Sequence, residues 1–137
     1  MRAYAITSST RSGGRPHLEE IVRPEPDPGP AHVSIDVEVA GIGLIDAFWA
    51  AGVMPQTDGF VPGIEATGRV RALGPGVEGL RVGELVTTVL LGGGGLAEVA
   101  LARADLVAPV PDGLDPATAA VVPVNSVTAH LALTRFA

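Results

Sequence analysis

Cysteine is absent from the 137 residues, which removes disulfides, thiolate catalysis and the usual structural zinc sites in one step. Lysine is absent as well, so the nine basic side chains are all arginines, set against fifteen acids. The net charge of −6 excludes a nucleic-acid-binding surface, because phosphate contacts need clustered cations. Aromatic residues are scarce at 4% while 47% of the chain is hydrophobic. The core is therefore expected to be aliphatic, and a disordered chain is excluded. No apolar run is long enough to cross a bilayer, and the start M-R-A-Y-A-I-T-S-S-T-R has no signal-peptide core. These features read as a cytoplasmic protein with no membrane or nucleic-acid partner.

What the chain does have is glycine and proline, 18 and 12 residues, spread between short apolar runs in the manner of strands joined by tight turns. Arg2–Thr7 and His17–Val22 read as strands flanking a polar loop over Ser8–Pro16. Prolines from Pro24 to Pro30 make a stiff surface connection. Val33, Ile35, Val37 and Val39 alternate with Ser34, Asp36 and Glu38, the pattern of a strand with one wet face. A helical turn is expected over Leu44–Ala51. Next comes F-V-P-G-I-E-A-T-G over Phe60–Gly68, where Pro62-Gly63 is a strong turn pair and Glu65–Leu73 reads as a strand.

Gly74–Gly79 matches G-x-G-x-x-G, yet L-R-V-G-E-L-V follows it. A strand-like continuation supplies no helix N-terminus to meet a pyrophosphate, so this is a turn between strands. Gly92–Gly95 lacks the Lys-Ser/Thr of a phosphate loop and reads as a hairpin connection. Strands are expected over Glu84–Leu91 and Leu96–Leu101, with an extended segment over Arg103–Val110 that ends at Pro111–Gly113. Asp115-Pro116 is a helix start, an N-cap acceptor followed by proline at the first helical position. The helix over Ala117–Val122 is expected to be interrupted by Pro123, and a second to run over Asn125–Phe136. His17, His32 and His130 have no spacing that suggests a shared metal.

This order of segments resembles the GroES-like N-terminal domain of the medium-chain dehydrogenase/reductase superfamily. The likeness rests on Val39–Asp46, F-V-P-G-I-E-A-T-G-R-V, A-L-G-P-G-V-E-G-L-R-V-G-E-L-V, G-L-A-E-V-A-L-A-R-A-D-L-V-A-P-V-P-D-G-L and V-T-A-H-L-A-L. It implies a mainly β fold, a partly open GroES-like β-barrel with short helices and a C-terminal helical segment. Residues 1–122 would form that barrel domain. Residues 123–137 would begin the helix leading to a nucleotide-binding Rossmann domain that lies outside the chain.

The resemblance also bears on chemistry. The zinc-dependent branch places metal ligands where this chain has Gly43, Ile64 and Val124, none of which can donate a lone pair. That points to the zinc-free, quinone-oxidoreductase-like branch, in which hydride passes from NADPH to a quinone or an enone. Carried over by position, Asp46, Phe48, Trp49 and Met54 are cleft candidates, and Thr128 and Asp46 are candidates near the nicotinamide. Asp46 could equally be a local cap or turn acceptor, the two aromatics could be core or capping groups, and Glu65 reads as structural. The expected function is the substrate-side domain of a zinc-independent NADPH-dependent reductase of small apolar carbonyl, enone or quinone substrates. It would lack activity alone, would bind NADP(H) only when paired with a Rossmann domain, and would self-associate or meet such a domain as partner. The alternative is a stand-alone GroES-like domain that binds a partner or small apolar ligand without catalysis.

Overall fold

The computed structural model describes residues 1–8 and 15–136, so most of the loop expected over Ser8–Pro16 lies outside the described residues. Strands β1 (Arg2–Thr7) and β2 (His17–Val22) pair antiparallel into a two-stranded sheet. Strands β3 (His32–Gly41), β4 (Glu65–Leu73), β5 (Leu85–Val89), β6 (Val99–Arg103) and β7 (Val107–Pro109) form a second, antiparallel sheet in the order β6-β3-β4-β5-β7. Helix α1 (Leu44–Ala50) lies between β3 and β4. At the C-terminal end come α2 (Pro116–Ala120), a π-turn (Val122–Ser126) and α3 (Val127–Arg135). The fold is mainly β, with two sheets that do not close on one another, as expected for a partly open GroES-like barrel.

The alternation in β3 accounts for the main core. Val33 and Ile35 are fully buried and pack with Ala66, Val70, Val86, Leu90, Ala100 and Ala102. Two register irregularities, between Ser34 and Ile35 and between Val37 and Val39, bend the β3–β4 pair in the way bulges curl a sheet. Ser34 departs from expectation, since it is buried on the face predicted to be wet. Helix α2 lies against β3 and β4 with Ala119 and Ala120 buried. Asp115 caps that helix as predicted, accepting from the amides of Ala117 and Thr118 at 3.0 Å.

Two expected elements have different bounds. The strand predicted over Leu96–Leu101 divides: Val99–Arg103 pairs with β3, whereas Leu96–Glu98 crosses to β1. There the Tyr4 amide donates to Leu96 O at 2.8 Å and the Glu98 amide to Arg2 O at 3.0 Å. The strand predicted over Glu84–Leu91 is shorter, covering Leu85–Val89, and the Leu90 amide extends its pairing with the β4 side by donating to Ile64 O at 2.7 Å. The crossing of Leu96–Glu98 to β1 joins the two sheets. The α-helix does stop short of Pro123, as expected, with α2 ending at Ala120 and α3 starting at Val127. Pro123 sits inside the π-turn, whose wider spacing takes in a residue without an N–H.

The G-x-G-x-x-G match is a turn between β4 and β5, with Gly76 at φ 78°. Among the described residues no helix is long and apolar enough to cross a membrane.

Candidate functional site

The turn at Pro62–Gly63 and the helical turn before it are tied together by one carboxylate. Asp46, at the third position of α1, accepts from the Gly43 amide through Oδ2 at 2.9 Å and from the Gly63 amide through Oδ1 at 2.7 Å. It is 4% exposed, and both oxygens are committed to backbone donors. Asp46 therefore fixes where α1 sits against residues 61–64.

Behind it lies the second buried acid. Glu65 opens β4, opposite Gly41 in the register of β3. Any side chain at Gly41 would collide with the Glu65 carboxylate. Across that gap Glu65 accepts from the Val124 amide at 3.0 Å and from Asn125 Nδ2 at 3.3 Å. Burial pushes its carboxyl above the ordinary carboxylate range, the Val124 amide pulls it partly back, and the charge of Asp46 adds to the rise. A charge out of water prefers its neutral form unless it is paired.

Next to these two carboxylates, whose chain neighbours Ile45 and Ile64 reach it, is an apolar cavity of about 300 Å³, lined by Ile45, Trp49, Ile64, Val89, Leu91, Pro123, Val124 and Thr128. Trp49 is buried and meets Phe60 edge to face, with centroids 4.9 Å apart at 73°. Among the described residues its Nε1 has no hydrogen-bond partner. The only hydroxyl in the lining belongs to Thr128, which stands at the exposed start of α3.

Of the residues singled out in the sequence, Trp49 and Thr128 share this cavity, joined by Ile64 and Val124 from the family's zinc-ligand positions. Phe48 and Met54 are 39% and 40% exposed and do not line it. Asp46 lies outside the lining, bound to backbone. Missed in the sequence were Ile45, Val89, Leu91 and Pro123, positions with no local mark of a site. The link from Glu65 to Val124 was missed too, because 59 residues separate its ends. Among the described residues no group of three or more His, Cys, Asp or Glu is placed to hold a metal ion.

Residues 29–112 match the alcohol dehydrogenase GroES-like domain family. A chloroplastic quinone-oxidoreductase homolog of Spinacia oleracea is 34% identical over 98% of this chain, which spans 43% of that relative's length. The structure of a quinone oxidoreductase from Thermus thermophilus, also solved in complex with NADPH, is 31% identical with a TM-score of 0.78. The match covers 98% of this chain and 41% of that one. The human synaptic vesicle membrane protein VAT-1 homolog-like protein superposes with a TM-score of 0.87 at 29% identity, covering 99% of this chain and 43% of the other. The chain belongs to the alcohol dehydrogenase GroES-like domain family of the medium-chain dehydrogenase/reductase superfamily, and within it resembles the quinone oxidoreductases.

Proposed function

We propose that this chain forms the substrate-side wall of a zinc-independent, NADPH-dependent reductase acting on a small apolar quinone or enone. The observation that carries this reading is the cavity between α1 and the π-turn. Its lining is aliphatic and aromatic with a single hydroxyl, which suits a flat apolar ring and offers a metal ion nothing to bind.

The same lining tests the fit to a dinucleotide. Thr128 could face the carboxamide end of a nicotinamide, and the apolar walls would keep water from the ring. No cation or run of amides in the cavity could hold a pyrophosphate, which the superfamily binds at a glycine-rich turn and helix N-terminus. NADPH would supply the hydride. This chain's residues would hold the acceptor, exclude water and set its approach. On this reading residues 1–122 are the barrel domain, residues 123–137 lead towards the nucleotide-binding half, and the pair constitutes the enzyme. Compartment is left open by the kinship, since relatives named as chloroplastic are among the matches.

Equilibrium dialysis of the purified chain against 1,4-naphthoquinone tests the substrate side. Binding to one site is expected, lost when Ile64→Trp fills the cavity. A quinone affinity untouched by Ile64→Trp would contradict the reading.

A further inference from the structure

The helical segment from Pro116 to Arg135 meets the barrel unevenly. Its first part is held firmly: Ala119 and Ala120 are 1% exposed, and Thr87 Oγ1 donates to Ala119 O at 3.0 Å. Its last part is far more exposed, since α3 has no buried residue. The side-chain hydrogen bond within α3 is internal, from Thr134 Oγ1 to His130 O. Between them lies the π-turn, and there the chain has a problem of its own. Pro123 has no N–H, and the widened turn displaces the next amide from the regular i to i−4 ladder. An amide shielded from water without an acceptor destabilises the fold. Glu65 meets that amide, at Val124, and takes Asn125 Nδ2 as well.

We propose that Glu65 is the positioning residue of the cavity: by holding the π-turn through Val124 and Asn125 it sets the direction of α3 and the place of Thr128 opposite Trp49. The geometry is specific to this end of the fold. Glu65 reaches the turn only because Gly41 has no side chain to block its path. Val124 and Thr128 both line the cavity, so a shift of the π-turn moves that wall against the fixed α1 side, where Asp46 anchors Trp49's helix. The mechanical claim holds for the chain itself. Its consequence for substrate rests on the reading under Proposed function.

The chain offers a direct measurement, because it has one tryptophan and no cysteine. Arg135→Cys, labelled with a dansyl acceptor, gives a single donor–acceptor pair from Trp49 to the end of α3. Time-resolved energy transfer should show one narrow distance distribution in the parent. Glu65→Met keeps the length of the side chain but removes both acceptors. It should broaden the distribution while amide exchange in β3 and β4 stays protected. Glu65→Gln, which keeps one carbonyl for Val124, should restore the narrow distribution.

Binding of 1,4-naphthoquinone should weaken about fivefold in Glu65→Met, the scale of one of the two hydrogen bonds lost, and recover in Glu65→Gln. A broad distribution in the parent, or an unchanged one in Glu65→Met, would overturn the proposal. If the parent binds no quinone, the substrate reading fails and the distance distributions still decide the role of Glu65.

Discussion

At the scale of single residues, the site is built on two buried carboxylates that each hold backbone. Asp46 satisfies amides from two different segments, Gly43 and Gly63. Asp46→Ala would leave both donors without a partner in a buried place, so it should cost about 2–4 kcal/mol of stability. Urea unfolding with an unchanged m-value is the check, and a loss within the noise would show that Asp46 is dispensable to the turn. Glu65 makes the opposite kind of statement, because its folded carboxyl titrates above its ordinary value. A fold that favours the neutral acid loses stability as pH rises from the unfolded carboxyl value, near 4.5, through the raised folded one. Asp46, on α1, is the charged neighbour that adds to the rise. Wild type should therefore lose stability relative to Glu65→Gln across that window and run parallel to it above. Unfolding free energies at a series of pH values should show this slope, and a difference of opposite sign would contradict the burial of Glu65.

At the scale of elements, α3 is the part least accounted for by the barrel. Leu133 and Phe136 are 76% and 86% exposed, and Val127 and Leu131 add to the same uncovered segment. Apolar patches of this kind are uncommon on monomers beyond a few hundred Å². The chain is expected to self-associate, with a weight-average mass that rises with concentration in sedimentation equilibrium. Leu133→Glu combined with Phe136→Glu should suppress that rise, and a concentration-independent monomer mass would count against it. Elements with a local signature were legible in the sequence: the alternation of β3, the bounds of β4, the Asp115 cap, and the strand context that demotes Gly74–Gly79. Departures came where distant partners decide. Leu96–Glu98 reads locally as one strand with Val99–Leu101, but β1 takes its first half. Pro123 reads as a break and α2 does end before it, while the carboxylate of Glu65, far away in the chain, supplies the acceptor that lets the π-turn continue. The cavity shows the same division. Trp49 and Thr128 were carried over by the resemblance, whereas Val89 and Leu91 are aliphatic residues with no local mark of a site, Val89 being placed by its pairing with Glu65.

At the scale of the molecule, an apolar cavity beside an exposed helix is what the proposed function reads as one half of a site. The chain spans 43% of the Spinacia oleracea relative's length, and no cavity residue could grip the phosphates of a dinucleotide. The central claim is that substrate contacts reside here and cofactor binding does not. It is tested most directly by following nicotinamide absorbance while the purified chain is mixed with NADPH and 1,4-naphthoquinone, alone and after fusion to the nucleotide-binding domain of a quinone oxidoreductase. The account predicts no turnover above the protein-free control for the chain alone. It predicts turnover in the fusion that falls when Ile64→Trp fills the cavity. Turnover by the chain alone, abolished by Thr128→Val, would contradict it.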